Sequence, residues 1–442
     1  MPQHNEATAE QARVSARDQR KQQAEAKASP GAARPGYKRT KLGWIPEEWA
    51  LVRLGDVFEF RNGYNTTKEN YGAGVPFVNV LDVITHQTLT PARIKGKVTL
   101  SKEAHVLNDV RNGDVLFNRT SETTDELGMA SVYLDNEVVT FGGFVIRGRQ
   151  QGTAFDPAYL SYSLRDPAVR KQISALGNGA IRSNIGQGDL QGVLAPKPPL
   201  PEQQRIATLL GTWDAAITKL EQLIAAKQRR KLGLMQELLS GKRRFPGFTE
   251  KWKEVRLGKL FTERIETGLV DLPLLSVGAA GVYPQSDDDR RDNSNPDKAK
   301  YKRICPGDIG YNTMRMWQGR CALSALEGIV SPAYTILTPT DKIDVVFGSQ
   351  LFKWSNTIHL FYRNSQGMAS DTWNLKYKEF APIKVTIPGL EEQRLIGEVL
   401  NAHDASIEKD AQLVNHLTTQ KRGLMQQLLT GAVRTKANST RT

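Results

Sequence analysis

Acidic and glycine-rich stretches could support catalysis, but neither has the flanking pattern that catalysis needs. The run SDDDRRD (residues 286–292) offers nuclease-type carboxylates, yet no strand pattern frames it, so we interpret it as a solvated loop. The segment SGKRR, which begins at Ser240, lacks the first glycine and the Ser/Thr of a nucleotide-binding loop. GNGAIRSNIGQG follows a predicted helix rather than a strand, and no amino-methyltransferase tetrapeptide of the Asn/Asp-Pro-Pro-Phe/Tyr type occurs. The sequence indicates a chain without a catalytic site.

Metal and disulfide chemistry are not indicated either. The two cysteines, Cys305 and Cys321, are too few for a metal site, and the histidines lack ligand spacing such as H-x-x-x-H. The two thiols could pair, but so few cysteines in 442 residues are typical of a reducing cytoplasm. No apolar run approaches the roughly 18 residues that cross a bilayer. We therefore expect a cytoplasmic protein with no metal of its own.

Charge and long polar side chains point instead to nucleic acid. The net charge of +13 and the pI near 9.5 favour a polyanionic partner. Base edges are read by long polar or planar side chains on accessible segments. The candidates are Arg119, Ser121, Arg182 and Asn184 in a first mixed segment, and Arg315, Trp317, Gln318, Arg320 and Asn374 in a second. The alternative is that several of them clamp phosphates or hold the structure.

A long helix pattern that occurs twice would position these segments. RKLGLMQELLSGKRRF begins at Arg230, and QKRGLMQQLLTGAVRT begins at Gln420. Over residues 202–241, 18 of 40 positions are identical to the residue 190 positions later, without a gap. This degree of identity indicates an internal duplication rather than a shared helix composition. Gly241 and Gly431 are the predicted helix ends.

The apolar residues of both copies follow the alternating three- and four-residue spacing of a coiled coil. We call these residues the helix seam. The predicted seam consists of Ile206, Leu210, Trp213, Ile217, Leu220, Ile224, Leu234 and Leu238 in the first copy, and Ile396, Leu400, Ile407, Val414, Leu417, Leu424 and Leu428 in the second. Polar residues occupy the same register at Lys227, Lys231, His403, Asp410 and Lys421.

Antiparallel pairing of the two copies would give a pseudo-two-fold axis. The pairs expected are Ile206 with Leu428, Leu238 with Ile396, Trp213 with Lys421, Lys231 with His403, and Lys227 with Ile407. Lys227 would then lie within about one turn of Asp410 and offset its charge. A seam of about 33 residues spans roughly 50 Å, whereas one DNA turn is about 34 Å. Such helices could act as a ruler between two DNA readers.

A mixed segment precedes each helix, and the two mixed segments share little beyond a few landmarks. WALVRLGDVF resembles WKEVRLGKLF, and NGDVLFNR resembles PGDIGYNT. VPFVNVLDVI and VVTFGGFVIRG predict strands, whereas DPAYLSYSLRDPAVRKQIS predicts a helix capped by Asp156. The predicted organisation is a basic flexible tail (1–40), a mixed domain (41–200), a central helix (201–243), a second mixed domain (244–388), a distal helix (389–434) and a short tail (435–442). We expect an α+β fold with two mixed α/β domains joined by two long antiparallel coiled-coil helices.

These motifs resemble the specificity subunit of Type I restriction-modification enzymes. PLPEQQRIATLLGTWDAAI and PGLEEQRLIGEVLNAHDASI, each followed by its GLMQ-x-LL end, look like that family's two conserved helical regions. GDVLFNRTSE, YNTMRMWQG and GIVSPAYTIL look like pieces of its target recognition domains. The resemblance covers roughly residues 41–435, and the preceding tail departs from the common pattern.

The resemblance implies a non-catalytic subunit that reads a bipartite, asymmetric DNA target through two target recognition domains. Its partners would be double-stranded DNA, two methyltransferase subunits and restriction subunits, without a membrane. S-adenosylmethionine, ATP and Mg²⁺ would belong to the partner subunits. The alternatives are a stand-alone bipartite DNA-binding regulator, a degenerate nuclease or methyltransferase, and a scaffold whose charge is incidental.

Overall fold

The computed structural model describes residues 34–177, 183–278, 281–285, 297–367 and 373–435. The chain forms two compact units. Unit 1 comprises Met1–Ala216 with Leu417–Thr442, and unit 2 comprises Ile217–His416. Each unit combines a mixed α/β domain with portions of both long helices, which confirms the predicted α+β class.

The mixed domain of unit 1 contains fifteen described strands and five short α-helices. The strands are β1 (Tyr37–Thr40), β2 (Gly43–Pro46), β3 (Ala50–Arg53), β4 (Phe58–Asn62), β5 (Tyr71–Val78), β6 (Thr88–Leu89), β7 (Gly96–Val98), β8 (Asp109–Val110), β9 (Val115–Asn118), β10 (Thr120–Ser121), β11 (Ala130–Tyr133), β12 (Val139–Phe141), β13 (Val145–Gln150), β14 (Ser183–Asn184) and β15 (Leu194–Lys197). The helices are α1 (Val80–Thr85), α2 (Lys102–Leu107), α3 (Pro157–Ser163), α4 (Pro167–Ala175) and α5 (Gln187–Gln191).

Strand β9 lies at the centre of a five-stranded sheet in unit 1, in the order β4-β13-β9-β11-β6. All four residues of β9 are buried, since β13 and β11 flank it on both sides. A second sheet has the order β7-β5-β12-β8. The chain leaves β9 at Arg119, so the central sheet fixes where the first candidate DNA-contacting segment begins.

The two long helices are α6 (Leu200–Leu238) and α10 (Leu390–Leu429). Unit 2 also contains β16 (Lys253–Arg256), β17 (Phe261–Glu263), β18 (Leu275–Gly278), β19 (Gly281–Pro284), β20 (Lys302–Ile304), β21 (Ile309–Asn312), β22 (Cys321–Leu323), β23 (Gly328–Val330), β24 (Tyr334–Pro339), α7 (Val345–Phe352), α8 (Ser355–Asn364), α9 (Tyr377–Phe380) and β25 (Lys384–Ile387). Its largest described sheet has the order β17-β24-β21-β22. Strand β21 is therefore an interior strand, as β9 is in unit 1.

Portions of the long helices pack into the core of each unit. In unit 1, Ile206 and Leu428 belong to one buried cluster. In unit 2, Leu238 and Ile396 belong to another. The helix seam residues all lie on α6 or α10, and each is buried or half-buried. Both helices end just before a glycine at positive φ, Gly241 and Gly431 having φ of 70°, as predicted for helix ends.

Three predicted segments each contain an interruption that was not expected, which is a helix cap in two of them and a glycine turn in the third. VPFVNVLDVI contains the end of β5 and then α1, since the backbone N–H of Asn79 donates to the Asp82 carboxylate in a capping box. VVTFGGFVIRG contains two strands, β12 and β13, separated by the Gly142–Phe144 turn. The helix capped by Asp156 ends at Ser163, and a second begins at Pro167 with Asp166 as its cap.

The boundaries at both ends of the first mixed domain also differ from expectation. Residues 37–40, assigned to the tail, form β1, which pairs with β2 along its whole length. The Tyr37 hydroxyl also donates to the Gly431 carbonyl at 2.9 Å, so this strand is fastened to the end of α10. Helix α6 begins at Leu200 and includes Pro201, because proline is tolerated in the first helical turn. Residues 1–33 of the expected tail lie outside the described residues.

Candidate nucleic-acid interface

The loops that follow β9 and β21 are fastened to their units by equivalent hydrogen bonds. In unit 1, the Ile185 N–H donates to the Arg119 carbonyl at 3.0 Å. In unit 2, the Leu375 N–H donates to the Thr313 carbonyl at 2.9 Å. Arg119 and Thr313 are each the first residue after the interior strand. We call this arrangement the shared frame, since it holds two otherwise dissimilar loops in the same way.

The shared frame brings three of the four first-domain candidates together. Strands β10 and β14 pair with Thr120 opposite Asn184, and the Thr120 hydroxyl donates to Asn184 Oδ1 at 2.6 Å. Arg119 is half-buried and Asn184 is exposed. Arg182 lies outside the described residues. Arg119 and Asn184 thus have the reach and exposure that contact with DNA requires.

Ser121 has a structural role. Its residue exposure is 7%, and its Oγ donates to a Glu126 carboxylate oxygen at 3.1 Å. The same oxygen accepts the Thr123 N–H at 3.1 Å. Both hydrogen bonds close the turn after β10. Ser121 therefore stabilises the loop, as the alternative interpretation of the candidates proposed, and does not read bases.

Four of the five second-domain candidates lie on or next to a single short turn. A 3₁₀ turn at Met316–Gln318 ends at Gly319, whose φ of 71° permits the reversal. Arg315, Gln318 and Arg320 are exposed around this turn. Three long polar side chains on a tight turn can reach either base edges or phosphates.

An aromatic cluster supports that turn in unit 2. The Trp317 indole N–H donates to the Met314 carbonyl at 3.0 Å, and its ring meets Trp373 edge to face at 5.3 Å. Trp373 in turn meets Tyr362 at 4.8 Å. Asn374 forms a two-way backbone bridge with Gln366 at 2.8 Å. Trp317 and Asn374 are thus held by the structure and position the exposed polar groups, and Tyr362 and Trp373 were missed by the sequence analysis.

The repeated Gly-Asp landmark has a structural explanation. Asp114 accepts the backbone N–H of Arg111 at 2.8 Å and two hydrogen bonds from Arg149 at 2.9 and 2.7 Å. Asp308 likewise accepts a backbone N–H from Cys305 at 2.8 Å and a hydrogen bond from Arg264 at 2.8 Å. These aspartates close the turn before each interior strand.

A carboxylate at the start of α6 is clasped by an arginine that follows α10. The Glu202 carboxylate accepts hydrogen bonds from Arg434 at 2.8 and 2.9 Å and from the Trp49 indole at 2.9 Å. Glu202 is 3% exposed. Burial acts to raise the pKa of Glu202, but the hydrogen bonds from Arg434 and Trp49 outweigh it, so this pKa lies below its ordinary value.

The same clasp occurs in unit 2 with the roles of the helices exchanged. The Glu392 carboxylate, at the start of α10, accepts hydrogen bonds from Arg244 at 2.9 and 2.7 Å and from the Trp252 indole at 3.1 Å. Arg244 follows the end of α6. We call the two arrangements the helix clasps. Each fastens the start of one long helix to the end of the other within its own unit.

The polar seam residues form ion pairs inside each unit. Lys227 Nζ lies 2.6 Å from Asp410, which confirms their predicted proximity. Lys231 pairs with Asp404 at 2.6 Å. Lys421 pairs with Asp214 and lies over the Tyr162 ring, 5.4 Å from its centroid.

The structure adds the ionic and ring contacts of two predicted polar pairs. The ring under Lys421 is that of Tyr162 on α3, not that of Trp213 on the opposing helix. The ionic partners of Lys421 and Lys231 are aspartates next in sequence to the residues predicted. Aspartate carboxylates can neutralise ammonium groups that an aromatic ring or a histidine would leave largely unpaired.

No candidate metal site occurs in the part of the chain that the structure describes. No group of three or more His, Cys, Asp or Glu side chains within it could hold a metal ion. Cys305 and Cys321 are both free. The acidic run at 286–292 lies outside the described residues. No helix in the described ranges is long and apolar enough to cross a membrane.

The chain combines two mixed domains, two clasped helices and two polar loops in a shared frame, and it is similar to DNA specificity subunits of type I restriction-modification enzymes. The family model for the type I restriction modification DNA specificity domain matches residues 46–228. This confirms the resemblance drawn from the helix motifs, and the comparisons give no support to a stand-alone regulator.

Relatives extend the similarity over nearly the whole chain. The chain is 24% identical over 438 residues to the putative type I restriction enzyme MjaX specificity subunit of Methanocaldococcus jannaschii, covering 90% of this chain and 97% of that protein. It is 24% identical over 431 residues to the EcoKI specificity subunit of Escherichia coli, covering 89% and 90%. The crystal structure of a type I S subunit from M. genitalium has the same fold, with a TM-score of 0.55 at 16% identity, over 90% of this chain and 99% of that one.

Proposed function

We propose that this chain reads a split double-stranded DNA target, with unit 1 contacting one half-site and unit 2 the other. The shared frame is the observation that best supports the proposal. Equivalent hydrogen bonds hold the loop after β9 and the loop after β21, yet the exposed side chains on the two loops differ. Two different half-sites require a constant scaffold with different exposed groups, and that is the arrangement found.

The partners of this function are two methyltransferase subunits and the restriction subunits of a type I enzyme. Similar proteins bear the name of specificity subunits, and one solved relative, with a TM-score of 0.53 at 20% identity, is described in terms of complex assembly of the type I system. S-adenosylmethionine, ATP and Mg²⁺ would be bound by those partners. This chain would be the cytoplasmic, non-catalytic component that selects the DNA sequence.

The test uses the chain assembled with its methyltransferase subunits. A methylation map of the host genome first gives the two half-sites, and binding is then measured on duplexes with single base-pair changes. We expect Arg119→Ala to weaken base preference in one half-site and Arg315→Ala in the other, by about 5- to 150-fold for a lost bidentate contact. Lys378→Ala, at an exposed site on α9, is the control. Unchanged affinity and preference in both arginine variants would contradict the assignment of these loops.

A further inference from the structure

An exposed aromatic side chain stands on a tightly held turn beside Arg119. Phe144 is 64% exposed, although it lies between the buried strands β12 and β13. Its carbonyl accepts the Arg119 N–H at 2.9 Å, and the preceding Gly143 N–H donates to the Tyr64 carbonyl at 3.1 Å. The backbone of the turn is therefore fixed while the ring remains in solvent.

Two glycines make this turn possible. A Cβ at Gly143 would lie 1.9 Å from Asn65 Oδ1, and a Cβ at Gly142 would lie 2.9 Å from the Phe77 ring. No larger residue fits at either position without a shift of its neighbours. The chain thus presents Phe144 on a backbone that is already ordered, which lowers the entropy lost when a ligand covers the ring.

Phe144 borders a groove with a second exposed apolar side chain. Leu81, at 74% exposure, lines the same groove, whose volume is about 300 Å³. The remaining lining residues are Val80, Ile84, Thr120, Ser121, Glu122 and Glu126. Carboxylates repel phosphate, so the DNA backbone is an unsuitable occupant, whereas the apolar wall suits an apolar group on a base edge.

Unit 2 carries a small residue at the equivalent position. The Thr313 N–H donates to the Ala333 carbonyl at 3.1 Å, as the Arg119 N–H donates to the Phe144 carbonyl. The shared frame therefore accommodates either alanine or phenylalanine there. The shared frame does not require an aromatic ring at this position. The phenylalanine in unit 1 therefore needs an explanation other than support of the loop.

We propose that Phe144 and Leu81 form a site for the 5-methyl group of a thymine in the half-site that unit 1 reads. The inference rests on the proposed function and adds an apolar determinant to its polar candidates. The thymine methyl is the one apolar group that unmodified base pairs present in the major groove. Contact with this methyl group distinguishes thymine from cytosine. The polar candidates Arg119 and Asn184 would instead distinguish bases through hydrogen bonds.

The experiment replaces each thymine of the target by uracil, one at a time, which removes the methyl group and keeps the base-pairing hydrogen bonds. Binding of the chain, assembled with its methyltransferase subunits, is measured for the parent, Phe144→Ala and Val106→Ala. Val106 is an exposed apolar residue of unit 1 on α2 that does not line the groove, and it serves as the matched control. We expect the parent to lose about fourfold in affinity at one or more thymines of the first half-site, the worth of one buried methyl group.

The Phe144→Ala variant should bind the intact target more weakly and show no further loss on the same uracil substitution, whereas Val106→Ala should behave as the parent. If the parent binds its target specifically but no thymine methyl in that half-site matters, the methyl site is overturned and the proposed function stands. The same conclusion follows if the half-site contains no thymine, or if Phe144→Ala retains the full methyl dependence. If the parent protein binds DNA without any sequence preference, the proposed function itself is refuted.

Discussion

Glu202 and Arg434 form a bidentate ion pair, at 2.8 and 2.9 Å, across 232 residues of chain. Glu392 and Arg244 repeat it at 2.9 and 2.7 Å across 148 residues. In each clasp the carboxylate belongs to the start of one long helix, and the guanidinium follows the end of the other. Each unit therefore has its own clasp between the two helices. The duplicated helix sequence contains the glutamate and the arginine of the clasp in both copies.

Removal of Arg434 should destabilise unit 1. Arg434→Ala leaves the buried Glu202 carboxylate with the Trp49 indole as its remaining side-chain donor, and we expect the free energy of unfolding to fall by about 3 kcal/mol. Urea unfolding of unit 1 measures this. Arg243→Ala, which breaks an exposed pair with Glu237, should change stability by less than about 0.5 kcal/mol. Equal effects of the two substitutions would show that the clasp is no stronger than a surface pair.

The clasp in unit 1 should also make stability depend on pH. The pKa of Glu202 is lowered in the folded state, so its contribution is present above the unfolded value, near 4.5, and is lost as the pH falls through the folded value. The stability difference between the parent and Glu202→Gln should shrink on acidification below about pH 4.5. Burial raises the pKa of Asp166, so this group changes the stability with pH in the opposite direction. Comparing the parent with Glu202→Gln cancels the contribution of Asp166, because both proteins contain it. If the stability difference between the parent and Glu202→Gln stays constant from pH 7 to pH 3, Glu202 does not cause the pH dependence.

The Lys227–Asp410 pair has no counterpart in the duplicated sequence, since Leu417 and Leu220 stand 190 positions away. Partly buried ion pairs are often no more stabilising than leucines of similar volume. We expect Lys227→Leu combined with Asp410→Leu to keep or raise the free energy of unfolding. Asp410→Leu alone should lower it, because Lys227 then has only the Ser406 hydroxyl as a partner and its charge is not neutralised. Chemical denaturation of the parent and the two variants decides this, and a double variant less stable than the single one would count against the argument.

The ruler hypothesis predicts that helix length sets the unread spacer. Four residues inserted after Gln228, with four more at the facing position after Ala405, lengthen both helices by about 6 Å. The spacer should grow by one or two base pairs with both half-sites unchanged, as a methylation map of the variant would show. An unaltered spacer in an active variant would mean that the distance is set elsewhere.

Much of the fold could be predicted because periodicity and duplication are local signals. The three- and four-residue spacing that includes Ile206 and Leu428 indicated both long helices, and Gly241 and Gly431 marked their ends. The capped helix α1 could not be predicted, because its apolar residues continue the pattern of β5. The clasps were also missed, since no local pattern relates Glu202 to an arginine 232 residues away.

The sequence led to the two loops that carry most of the candidate residues, but it could not show the local contacts of each side chain. Landmarks shared by both mixed domains led to the loops after β9 and β21, where Arg119 and Arg315 lie. Residue type alone could not show that the hydroxyl of Ser121 is buried in a turn. Phe144 was missed because it sits in an apolar run that resembles a continuous strand, and its exposure depends on how the two preceding glycines fit against their neighbours.

The central claim is that each unit reads one half of the target, and a domain exchange tests it most directly. Residues 41–200 are replaced by the corresponding domain of a related specificity subunit whose target is known, and the hybrid is expressed with its methyltransferase subunits. A methylation map of the host genome then gives the new recognition sequence. The account predicts that one half-site changes to that of the donor while the other half-site and the spacer remain. A change in both half-sites, or in neither half-site of an active hybrid, would contradict it.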